Sequence, residues 1–114
     1  MNDNERIEAQ RLFFGKQNPL SLKYRKQSLK RLQKTIIKYE HEITTALEND
    51  LRKSAYESYT TEIGFVLNEL RSTISHLRQW SAPQRRHTPL FLFGSKSHVT
   101  YQPYGQVLLL APWN

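Results

Sequence analysis

The residue best suited to chemistry is the last one, Asn114, in the run VLLLAPWN that ends the 114-residue chain. An asparagine amide donates two N–H bonds without carrying charge, which suits an oxygen that gains negative charge during a reaction. The run Val107 to Leu110 has the composition of a strand, and open α/β sheets place ligands at the carboxyl ends of their strands. Two readings stand for Pro112, Trp113 and Asn114. In one, Trp113 is a packing residue and Asn114 an ordinary turn former; in the other, the Asn114 amide faces a bound group.

The remaining candidates are weaker. None of the histidines at 41, 76, 87 and 98 stands at metal-ligand spacing with a second His, Asp or Glu, so packed or exposed imidazoles account for them better. Glu57 and Glu62 suggest a carboxylate pair, yet Glu57 has a capping role open to it and Glu62 stands one step before an apolar stripe. The glycines at 15, 64, 94 and 105 are isolated, so there is no phosphate-binding loop. Cysteine is absent, which excludes disulfides, thiolate metal sites and a cysteine nucleophile within these residues.

The elements that must position Asn114 are mostly helical. Asp3 is the expected cap of a helix through about Phe14, ended by Gly15. A long helix follows over about Ser21 to Leu51, with Leu29, Leu32, Ile36, Ile43, Leu47 and Leu51 on one stripe. At 1.5 Å per residue it would reach roughly 45 Å, so it either packs on material outside these residues or breaks near its middle. Ser54 to Glu57 has the Ser-x-x-Glu form of a capping box and opens another helix, whose stripe is Ile63, Leu67, Leu70, Ile74 and Leu77, with Trp80 one turn on and Pro83 closing it. Gln84 to Ser97 reads as an extended connection. His98 to Tyr101 reads as a strand, QPYG as a turn, and QVLLLA as a second strand buried on both faces, as in a parallel sheet covered by helices.

The formal net charge is +7. Lys23 to Lys38 holds seven cations and no acid, whereas Glu40 to Asp50 holds four acids and no Lys or Arg. This order opposes the helix macrodipole, so local helix energetics do not explain it. A solvated face, or a face that meets another part of a larger protein, is the plain account; a basic module that binds RNA or an anionic membrane is the alternative. No stretch approaches the roughly 18 apolar residues of a membrane span, and MNDNERIEAQ is too polar for a signal peptide, so a cytoplasmic protein is expected.

The stretch PYGQVLLLAPWN resembles the aldehyde dehydrogenase superfamily. So does the ordered series before it: FFGKQ, DLRKS, EIG, HLRQWSAPQRRHTPL and SKSHVTYQPYG. These residues resemble the branch that holds the class 3 and fatty aldehyde dehydrogenases, over about Arg11 to Asn114.

The resemblance implies an α/β fold: an N-terminal helical layer, then the first strands of a dinucleotide-binding and bridging sheet, truncated here. It divides the chain into 1–97, the helical layer and connection, and 98–114, the first bridging strand and the first strand of the cofactor domain. It implies NAD or NADP as cofactor, with Leu110, Ala111, Pro112 and Trp113 beside it. Asn114 would donate its amide to the oxygen of the thiohemiacetal and thioester intermediates. A fatty or aromatic aldehyde as substrate and a homo-oligomer, a dimer, are implied for the full-length protein. No nucleic-acid partner is implied, and membrane association would need a C-terminal anchor.

The family's cysteine nucleophile, general-base glutamate and glycine-bearing cofactor turn would all lie beyond residue 114. These residues are therefore expected to continue into a longer enzyme and to be inactive alone. In isolation they are expected to expose the stripe Ile63 to Trp80 and the run VLLL.

Overall fold

A computed structural model of the chain describes residues 2–16 and 20–111. They form two units, Leu22–Ser81 on one hand and Met1–Ser21 with Ala82–Asn114 on the other.

The Leu22–Ser81 unit is helical throughout. The expected long helix is two helices, α2 (Leu22–Lys38) and α3 (Glu40–Leu51). They meet at Tyr39, where φ −101° and ψ 19° leave helical values. The backbone bonds Tyr39 N–H to Thr35 O (3.0 Å) and Ile43 N–H to Tyr39 O (2.9 Å) run on through the bend. The break thus costs little hydrogen bonding and relieves the length that one straight rod would demand. α3 ends at Arg52, whose φ of 57° is left-handed and whose N–H bonds Glu48 O at 2.9 Å. A non-glycine residue rarely takes that closing position.

Ser54 caps α4 (Ala55–Ser58) as expected, its hydroxyl accepting from Glu57 N–H at 3.2 Å. A single π-helical turn, Tyr59–Ile63, then joins α4 to α5 (Gly64–Trp80), with Gly64 N–H bonded to Tyr59 O. Insertion of this turn re-aims the helix, so that Ile63, Leu67, Leu70 and Leu77 share one buried face. α2 packs against α5 and leaves Leu29 and Ile36 half-buried. This corrects the expectation that the stripe Ile63 to Trp80 is exposed: α2 covers most of it, and Trp80 is exposed at its end. Ser58 is fully buried, and its Oγ has no hydrogen-bond partner among the described residues. It fits where α4 meets the π turn by being small.

The other unit opens with α1 (Asp3–Lys16), which buries none of its described residues. Its cap is Asn2 rather than Asp3: Asn2 Oδ1 accepts from Glu5 N–H (2.8 Å) while Glu5 Oε2 accepts from Asn2 N–H (3.0 Å). This is a reciprocal capping box one residue earlier, which satisfies two orphan donors where Asp3 alone would satisfy one.

Past Trp80 the interval expected to be a connection is half of a hairpin. β1 (Gln84–Arg86) pairs antiparallel with β2 (Ser97–Val99), in the register Gln84 with Val99, Arg85 with His98 and Arg86 with Ser97. The strand expected from His98 begins one residue earlier and ends at Val99. Gln106 to Ala111 is not a strand. A strand requires a ladder neighbour, and no described segment pairs with this one in a ladder.

Candidate functional site

The candidate site is the end of the chain, and its described approach is Gly105 to Ala111. Two contacts tie that approach to α1. Gly105 takes φ 97°, a conformation that favours glycine, and a Cβ there would stand 3.4 Å from the Phe14 ring. Gln106 Nε2 donates to Ile7 O at 2.7 Å. Turn and helix together thus set the start of the VLLL run. From there Val107, Leu108, Leu109 and Leu110 are 70–86% exposed. Ala111 is exposed as well.

Of the five residues expected at the site, Leu110 and Ala111 are described, and they lie side by side outside regular structure. Pro112, Trp113 and Asn114 lie outside the described residues. Gly105, Gln106 and Phe14 were not singled out as positioning residues by sequence reasoning. The signal for them is the PYG turn itself, because a glycine that closes a turn against a helix leaves room for one ring and directs the next side chain at that helix.

Several of the other chemistry-bearing residues have structural uses. Glu62 pairs with Lys53, an ion pair with side chains 30% and 16% exposed. The pair joins DLRKS to EIG, two of the motifs that carry the family resemblance, and closes the loop before α4 onto the π turn. Glu57 lends its N–H to the Ser54 cap. The His76 ring stacks on Trp80, with centroids 5.5 Å apart and planes 18° apart. Its Nδ1 lies 2.9 Å from Ser72 O and 3.1 Å from Ser75 Oγ. His98 faces Arg85 across the hairpin.

The model of the aldehyde dehydrogenase family matches residues 4–114. This chain belongs to the aldehyde dehydrogenase family. It is 41% identical over 102 residues to the 4,4'-diaponeurosporen-aldehyde dehydrogenase of Staphylococcus aureus, covering 90% of this chain and 22% of that protein. It is 34% identical to aldehyde dehydrogenase family 3 comG of Dictyostelium discoideum, over 91% of this chain and 22% of the relative. Among solved structures it is similar to the substrate-bound state of AldH from Staphylococcus aureus. There the TM-score is 0.85 and the identity 37%, and the match covers 91% of this chain and 23% of that one. The chain thus spans about a fifth of the length of the curated relatives it matches, 22% for each of these two.

Proposed function

We propose that these residues form the N-terminal part of an NAD(P)-dependent aldehyde dehydrogenase that oxidises long apolar or aromatic aldehydes to carboxylic acids. The observation that carries this reading is the family match over residues 4–114, which ends on the Pro-Trp-Asn tripeptide. The names of two relatives, a 4,4'-diaponeurosporen-aldehyde dehydrogenase and the 4,4'-diapolycopene-4,4'-dial dehydrogenase of Cytobacillus firmus, support an apolar aldehyde as substrate.

In this reading Asn114 is the oxyanion donor. Its amide is neutral and offers two N–H donors, which suits an oxygen that gains negative charge. Leu110, Ala111, Pro112 and Trp113 line the cofactor site. The exposed apolar side chains of Leu110 and Ala111 fit a wall for a nicotinamide nucleotide, because they present surface that excludes water and adds no competing charge. The bound nucleotide supplies the hydride acceptor. Residues 1–97 serve as the helical layer and 98–114 as the entry to the cofactor and bridging sheet. The full-length protein acts in the cytoplasm as a homodimer.

The test uses protein from the complete reading frame. Asn114→Ala should lower kcat by roughly a hundredfold to a thousandfold, the usual cost of one oxyanion donor, with cofactor affinity nearly unchanged. An unchanged kcat would remove Asn114 from the oxyanion site, and a reading frame without a later cysteine and glutamate would remove the enzymatic reading altogether.

A further inference from the structure

Val107 to Ala111 are apolar without interruption, and Leu108, Leu109 and Leu110 are consecutive leucines. Where a strand has one apolar face, a slip of one residue turns every buried side chain outward, and that penalty fixes its register. A run that is apolar on both faces carries no such penalty, because each leucine lands where its neighbour stood. Whichever segment comes to pair with this run, its composition alone does not say where it starts. A slip nonetheless moves everything after it by about 3.3 Å and reverses the direction in which side chains point. Asn114 follows Ala111 by three residues, so the slip would carry its amide along.

The register must therefore be set from outside the run, and two contacts at its start can set it. Both are to α1. Gln106 Nε2 donates to Ile7 O at 2.7 Å, a bond between residues 99 apart in sequence. The next carbonyl on the same face of a helix lies one turn away, about 5.4 Å along its axis. A slide of about 3.3 Å thus leaves the Gln106 amide without an equivalent acceptor. Gly105 marks the same place by shape. It takes φ 97°, and a Cβ there would stand 3.4 Å from the Phe14 ring. A slip would bring Tyr104 or Gln106 into this left-handed turn, and each has a side chain that disfavours it.

We propose that Gln106 and Gly105 are positioning residues for catalysis: they fix the register of the VLLL run against α1 and, through it, the place of the Asn114 amide. This inference rests on Asn114 as the oxyanion donor. Gln106 stands eight residues before Asn114 and acts through the run between them.

The experiment is a double-mutant cycle in enzyme from the complete reading frame, with kcat taken per titrated active site so that unfolded protein does not count. Gln106→Met keeps the length of the side chain and removes its donor, whereas Gln106→Lys keeps a donor at similar reach. Gln106→Met should lower kcat about tenfold or more, within the roughly hundredfold that a misplacement of 1 Å can cost. Gln106→Lys should restore most of that loss. In the Asn114→Ala background, Gln106→Met should change kcat by less than about twofold, because the amide it positions is gone. Gly105→Ala strains the turn by a separate route and should give the same pattern. Equal factors in both backgrounds overturn the proposal, since Gln106 then supports the fold or the nucleotide site rather than Asn114. Full kcat in Gln106→Met enzyme overturns it too. An Asn114→Ala enzyme with unchanged kcat is a separate outcome: the oxyanion reading itself fails, and the positioning role falls with it.

Discussion

At the residue scale, Gly64 decides whether the π turn exists. In an ordinary helix interior, alanine is favoured over glycine by about 1 kcal/mol. Here a Cβ on residue 64 would stand 2.8 Å from Tyr59 O and 3.0 Å from Tyr59 Cε1. The first of these is backbone and cannot rotate away, because it is the acceptor of the Gly64 N–H. Gly64→Ala should therefore lower stability by about 1–3 kcal/mol, as overpacking does, and chemical denaturation would read it. A stabilised variant would show that the turn relaxes to α-helix at no cost. The same turn carries Glu62, so EIG is one local unit: its glutamate grips Lys53, its isoleucine starts the buried stripe, and its glycine makes the turn possible.

At the element scale, α2 has no acid in its first turn, and its cations form no ion pair among the described residues. Its N-terminal dipole end and its own Lys23 repel each other. Lys23→Glu should raise stability by about 0.3–1 kcal/mol at low salt, with the gain fading as salt screens it. Thermal melts at two ionic strengths would check this, and a destabilised variant would mean that Lys23 has a counterion the dipole argument omits. The hairpin is governed differently. Its strands are three residues each and bury nothing fully, so the Thr88–Ser97 clamp and the turn bonds hold it as much as packing does.

At the scale of the whole molecule, the two units differ in how much they bury. Among the described residues, the Leu22–Ser81 unit holds the four buried apolar side chains, Ile63, Leu67, Leu70 and Leu77. The other unit has none among its described residues. Opening free energy follows buried contact, so in the isolated chain amide exchange should be slowest over about residues 63–77 and fast in β1, β2 and 106–111. Hydrogen exchange read by mass spectrometry would check it, and comparable protection in the hairpin would show a core that these contacts do not reveal.

What the sequence determined by itself is local. Leu67, Leu70 and Leu77 stand at helical spacing, Ser54 stands three residues before Glu57, and a helix over about residues 21 to 51 would be roughly 45 Å long, which left either a break or packing on other material. Each of these follows from the 3.6-residue period, from orphan amides at a helix end, or from length. The motif series also made the family legible. Tertiary structure decided the rest. Gln84–Arg86 carries two arginines and no apolar residue, and it is a strand because Ser97–Val99 supplies its hydrogen bonds. Gln106 to Ala111 has nearly ideal strand composition and is not one, because no described segment offers it a ladder. Lys53 meets Glu62 because α4 and the π turn bring them together. Helices satisfy their backbone from within a short window of sequence; strands and ion pairs need partners that only the folded chain supplies.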